Sequence, residues 1–136
     1  MNSGSYIILI ENKKRTRIKV CSLGNIIFHR GFYVYVGSAM RGLQARMERH
    51  MGKTKKTFWH IDYLLKNRNT AIRSVYYKPS KKKEECEIAE KISQYGTPVP
   101  GFGCSDCSCE SHLFRLRDLR FLDRLISSRV WFKKTD

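Results

Sequence analysis

The chain is short of acid. Asp and Glu together number 12 against 27 Lys and Arg, giving a formal net charge of +15 and a sequence pI near 9.9. A surface of that sign attracts polyanions and steers them at long range, and nucleic acid is the partner it fits best. An anionic membrane surface would also suit such charge, but no cationic amphipathic helix dominates the chain. Long hydrophobic runs are missing as well. Tyr6 to Ile10 is typical of the apolar runs present, far below the roughly 20 residues of a bilayer-spanning helix. The N-terminus lacks the apolar core of a signal peptide, so no membrane association and a cytoplasmic location are expected. No internal repeat is visible. Cysteine is present in an odd number, five, which without an export signal fits reduced thiols better than a disulfide framework. With 41% hydrophobic and 29% charged residues over 136 positions, the composition excludes a disordered chain and gives one domain large enough to bury a core without staples.

The order of apolar patterns predicts a mixed fold. Ser5 to Glu11 is a short apolar strand, Arg17 to Cys21 alternates Ile18 and Val20 with Arg17 and Lys19, and Asn25 to His29 follows a Leu-Gly-Asn turn. Together they read as the opening of a β-meander. Phe32 to Val36 is aromatic and β-branched, and Gly37-Ser38 breaks it before a helix from about Gly42 to Met51. A lysine-rich linker, residues 53–57, precedes a second helix from about Phe58 to Asn67. In it Phe58, Ile61 and Leu65 share one face and Trp59 and Tyr63 a neighbouring stripe, so this helix should be well covered. Ile72 to Tyr77 is a further strand, Glu84 to Tyr95 a third helix, and Pro98 to Ser111 a loop rich in glycine and cysteine. A short strand from His112 to Leu116 and an amphipathic segment from Leu119 to Arg129 complete the chain.

Chemistry concentrates around the first helix. Leu43, Met47 and Met51 recur every four residues as its buried stripe, while Arg46 and His50, also four apart, run along the border beside Tyr35. Such residues can be solvated boundary side chains, and a strand tyrosine can be core packing. Read with the tyrosine strands they suit a phosphodiester, because a planar guanidinium matches phosphate oxygens and clamps the charge that develops in hydrolysis. Arg46 is the residue assigned to that clamp. His50 could share proton transfer. On the third helix Glu85 falls in the middle of the face that carries Ile88, Ala89 and Ile92. An acid there needs a partner or a cation, and an oxygen-seeking Mg²⁺ or Mn²⁺ would serve. Glu87, on the outward acidic face, is the second choice, and the alternative for either is a carboxylate that stabilises the helix N-terminus. Lys53, Lys55 and Lys56 are expected to hold nucleic acid non-specifically.

Gly4-Ser5-Tyr6, then Tyr35-Val36-Gly37, then Arg46 and His50 resemble the signature of GIY-YIG endonucleases over roughly residues 4 to 95. The resemblance implies a metal-dependent nuclease in which Tyr6, the first-strand tyrosine, accepts a proton from the attacking water, Tyr35 bonds the same phosphate or water, and a helix glutamate holds the metal. Three features depart from the common pattern. Arg15 to Arg30 forms an added hairpin-like stretch between the tyrosines, which meet only if it folds out. No asparagine follows residue 69. The ending, Val99 to Cys109 with Ser111-His112-Leu113-Phe114, is joined by Trp59-His60-Ile61-Asp62-Tyr63-Leu64 and Glu85-Cys86-Glu87 in resembling the GIY-YIG-like subfamily called DUF123.

Cys104, Cys107, Cys109 and His112 offer four soft ligands in one short loop, a spacing zinc could accept, although structural zinc usually draws its pairs from two separated turns. Reduced loop thiols are the alternative. His60 and Asp62, two apart on a helix, point to nearly opposite sides and make no dyad; His60 reads as a packed histidine. The expected fold is α/β of the α+β type, a small mainly antiparallel sheet flanked by helices. Residues 1–116 would form the domain and 117–136 an amphipathic extension packed on it. The expected activity is divalent-metal-dependent endonuclease action on DNA; the alternative is a nucleic-acid-binding module of the same fold that has lost catalysis and carries a structural zinc loop.

Overall fold

A computed structural model of the protein describes residues 2–52, 56–104, 109–120, 122 and 129–134. Its strands are β1 (Gly4–Asn12), β2 (Thr16–Lys19), β3 (Asn25–Phe28), β4 (Gly31–Ala39), β5 (Thr70–Pro79), β6 (Gly96–Pro98), β7 (Leu113–Leu116) and β8 (Arg129–Lys133). Its helices are α1 (Leu43–Met51), α2 (His60–Leu65) and α3 (Glu85–Ser93). Six strands form one antiparallel sheet in the order β6-β7-β4-β1-β5-β8. β2 and β3 form a separate hairpin.

β1 lies at the centre of the sheet and is buried along almost its whole length. Because side chains alternate across a strand, its near-continuous apolar run serves both faces. Tyr6, Ile8 and Ile10 join Tyr33, Tyr35, Leu43, Met47, Ile61 and Phe102 in one core, under α1 and α2. Ile7 and Leu9 join Val34, Val36, Ile88, Ala89, Ile92 and Phe114 in the other, under α3. The domain is therefore three layers, helix, sheet and helix. Each large apolar side chain so buried contributes about 1.5–3 kcal/mol relative to exposure.

Several expectations are corrected. β1 does not open a meander with β2: it pairs with β4 and β5, and the β2–β3 hairpin folds out of the main sheet. Asn12 pins that exit, its buried amide donating to the carbonyls of Phe28 (3.0 Å) and His29 (3.1 Å). The hairpin's removal from between β1 and β4 lets the two tyrosine strands meet. Gly37-Ser38 does not break β4, which stays paired with β1 as far as Ala39 opposite Gly4. Gly37 faces Tyr6 across the ladder, and a Cβ there would run into the ring carbon and hydroxyl of that tyrosine. The glycine makes room for an aromatic ring.

α1 begins where Gly42 takes a left-handed conformation (φ 63°) and Asn2 closes the helix end, its side chain accepting from Gly42 N–H and its carbonyl from Leu43 N–H. α2 starts two residues later than its apolar pattern predicts, because the Asp62 carboxylate accepts the Phe58 and Trp59 N–H groups and holds both outside the helix. Phe58 consequently leaves the packed face and is 78% exposed. β8, which the apolar pattern does not predict, adds an edge strand beside β5. Most of the 119–129 amphipathic segment lies outside the described residues. Among the described residues no helix is long and apolar enough to cross a membrane.

Candidate active site

A cleft of about 780 Å³ opens where β1, β4, α1 and the first turn of α3 converge, and Tyr6, Tyr35, Arg46 and Glu85 all line it. Three of the four come from the face carrying α1, as the strand and helix periods require. α3 packs on the other face of the sheet, yet its first residues, Glu85 and Cys86, reach the same cleft. The tip of the β2–β3 hairpin contributes Cys21 and Ser22.

The two phenols have different partners. The Tyr6 hydroxyl lies 2.8 Å from His50 Nε2, and its ring stands 6.4 Å from that of Tyr35. His50 is buried, 2% exposed, and sits behind Tyr6 instead of on the cleft wall. It is thus placed to exchange a proton with Tyr6 and not to touch a substrate. No group among the described residues bonds the Tyr35 hydroxyl, although the ring lines the cleft. Burial pushes the pKa of Tyr6 well above the ordinary phenol value, with the charges of Tyr35, Glu85 and Asp62 adding to the rise and Arg46 opposing it. Burial raises Tyr35 too, again with Glu85 and Asp62 adding and Arg46 opposing. Both are held as neutral phenols by their surroundings.

Arg46 donates from Nη1 to the Ser38 carbonyl at 2.8 Å, which uses one of its five donors and directs the guanidinium along the end of β4. Trp59 supports it: the Arg46 guanidinium carbon is 4.9 Å and that of Arg49 4.3 Å from the indole centroid. Arg49 in turn makes a two-pronged pair with the buried carboxylate of Asp62, at 2.9 and 3.0 Å. Burial alone would raise Asp62, but the Arg49 hydrogen bonds and the N–H groups of Trp59 and Phe58 outweigh it and hold the carboxyl below its usual range. His60 also lines the cleft. Its Nδ1 accepts the Gly103 N–H at 2.8 Å, so the neutral ring carries its proton on Nε2, and burial lowers its pKa.

Glu85 is the acid of this cleft among the described residues, and it makes no ion pair among them. Its charge reaches Tyr6, Tyr35 and His112. One carboxylate, two phenols and open space suit a hard divalent cation, which takes few protein ligands and completes its shell with water and phosphate oxygens. Glu87 is exposed and faces a different hollow, behind α3. Lys56 is exposed; Lys53 and Lys55 lie outside the described residues.

The expected zinc loop is rearranged. Cys109 and His112 do come together, but their third neighbour is Cys86 of α3, all three ligand atoms lying within 4.8 Å of one another in a group that could hold a metal. Cys104 is not in it, because its thiol turns to the Phe102 carbonyl at 3.6 Å; Cys107 lies outside the described residues. Cys86, Trp59 and His60 are cleft residues to which the sequence assigns no role. The one signal for Cys86 is its place next to Glu85.

The antiparallel sheet, the strand that runs through glycine into an arginine-bearing helix, and the paired tyrosines are the arrangement that the resemblance to GIY-YIG proteins implies. The family model described as a domain of unknown function, DUF123, matches residues 5–131, and the chain belongs to that family. No curated protein and no solved structure matches it.

Proposed function

We propose that the protein is a nucleic-acid phosphodiesterase, a divalent-metal-dependent endonuclease acting on DNA. The observation that carries the reading is the convergence of Tyr6, Tyr35, Arg46 and Glu85 on one cleft, with His50 bonded to Tyr6 from behind. The formal charge of +15 supports a polyanionic substrate.

In this reading Glu85 would hold Mg²⁺ or Mn²⁺, which supplies Lewis-acid stabilisation of phosphate charge. The Tyr6 hydroxyl accepts a proton from the attacking water while passing its own to His50 Nε2, so no free phenolate is required at a site where burial disfavours one. The transfer uses the His50 tautomer with its proton on Nδ1. Water oxygen attacks phosphorus, the phosphorus–oxygen ester bond breaks with its electron pair on the leaving oxygen, which takes a proton from solvent, and Arg46 meets the charge that grows on the phosphoryl oxygens. Tyr35 donates its hydroxyl to the same group.

A cleavage screen over single-stranded, duplex and branched DNA and RNA, with Mg²⁺ or Mn²⁺, tests the reading. Metal-stimulated cleavage by the wild type, abolished in Glu85→Gln, supports it. Binding of these substrates with no cleavage of any would overturn it in favour of the non-catalytic binding module.

A further inference from the structure

At the edge of the cleft, α3 and the chain entering β7 bring two thiols and an imidazole together. Cys86 lies in the first turn of α3, and Cys109 and His112 precede β7. The Cys86 sulfur and His112 Nε2 are 3.6 Å apart. Tetrahedral zinc, with Zn–S of about 2.3 Å and Zn–N of about 2.0–2.1 Å, sets its sulfur and nitrogen ligands about 3.6 Å apart. The separation already present is the one an ion would require. Two sulfurs and an imidazole are a soft set that selects zinc over magnesium, manganese or calcium.

His112 is also fixed as a ligand should be. It is buried, its backbone N–H donates to the Phe102 carbonyl at 2.8 Å, and its own carbonyl accepts from Val36 of β4 at 3.0 Å. The three ligands come from two stretches of chain far apart in sequence, as zinc ligands commonly do, and they leave the fourth tetrahedral position to a water molecule.

We propose that Cys86, Cys109 and His112 bind one zinc ion, separate from the hard-cation position at Glu85, and that the ion ties the first turn of α3 to the entry of β7. Cys86 and His112 both line the cleft, and Glu85 is the residue before Cys86, so anchoring that sulfur sets the direction of the neighbouring carboxylate. The proposal does not rest on the nuclease reading: metal content and stability report on it whether or not the protein cleaves anything.

The competing account of the same 3.6 Å contact is a thiol-to-imidazole hydrogen bond with no metal. Tag-free, reduced protein comprising residues 1–136 is stripped with a chelator and titrated with Co²⁺, then with Zn²⁺. The expected result is one Co²⁺ per chain with sulfur-to-cobalt absorption in the near ultraviolet, displacement by Zn²⁺, and a higher melting temperature with zinc bound. Cys86→Ser and Cys109→Ser lose stoichiometric binding, whereas Cys104→Ser binds as wild type does. His112→Cys exchanges one ligand for another, so it keeps one metal per chain with stronger sulfur-to-cobalt absorption, which separates ligand loss from misfolding. Folded wild-type protein that binds no stoichiometric Co²⁺ or Zn²⁺, or Cys86→Ser protein that binds as wild type does, overturns the proposal.

Discussion

The Tyr6 hydroxyl lies 2.8 Å from His50 Nε2, and both partners are almost wholly buried. Tyr6→Phe removes the buried hydroxyl and its hydrogen bond with His50 Nε2, so unfolding free energy should fall by about 1–2 kcal/mol. Turnover should fall with it if the Tyr6–His50 pair carries the proton. Denaturant melts of the variant beside cleavage rates separate the two effects. The raised pKa of Tyr6 also has a consequence for stability. The folded phenol keeps its proton above the ordinary value of 10.0 where the unfolded one loses it, so this contribution is complete below pH 10 and is lost as pH rises through the folded value. Wild-type stability should decline more steeply above pH 10 than that of Tyr6→Phe. Arg46 makes the sharper test of chemistry. In the proposed mechanism its guanidinium meets charge that grows only in the transition state, so Arg46→Ala should lower kcat by about 10²–10³ with little change in affinity. Full activity in that variant would sink the assigned mechanism.

The corner between β4 and α1 depends on small features of each element. Gly37 lies opposite Tyr6, and the Cβ of an alanine would meet the Tyr6 ring and hydroxyl directly. Gly37→Ala should therefore destabilise by about 1–3 kcal/mol and displace Tyr6 from His50, which thermal melts and the tyrosine ring signals in NMR would report. α2 is only six residues long, too short to persist on its own propensity. It is held in place by Asp62, whose carboxylate takes two backbone N–H groups and the two prongs of Arg49. Asp62→Asn should cost about 2–3 kcal/mol, below the full penalty for breaking a buried pair because Arg49 is about a third exposed. It should also loosen Trp59, the platform under Arg46, and so lower turnover more than affinity.

Across the whole molecule, charge governs how a polyanion would be held. A surface of +15 should neutralise many phosphates at once, and a footprint of about 6–10 phosphate contacts predicts an affinity loss of roughly 10³–10⁵ between about 50 and 200 mM salt. Binding isotherms at several ionic strengths measure the slope. An affinity indifferent to salt rules out phosphate contact as the basis of binding.

The amino-acid sequence by itself determined the mixed α/β class, a mainly antiparallel sheet flanked by helices, because that class depends on local periods and on side-chain chemistry. The apolar run Tyr6 to Ile10 reads as a strand, and only its pairing with β4 and β5 made it the central one. Leu43, Met47 and Met51 had to turn α1 so that Arg46 faced the end of β4. Glu85 had to point inward beside Ile88 and Ala89. Where local pattern and tertiary contact disagreed, only the tertiary structure decided. The run Phe58 to Leu65 reads as helix from its start, but the Asp62 carboxylate, anchored by Arg49, peels Phe58 and Trp59 away. Gly37 reads as a strand breaker, but its neighbour across the ladder makes it a place for a ring. His50 reads as a border residue, and the depth of the Tyr6 pocket buries it. Cys86 was legible only as a helix residue beside Glu85, since its meeting with Cys109 and His112 joins segments more than twenty residues apart. No periodicity within one element encodes such a contact; packing the α3 layer against the β7 edge creates it.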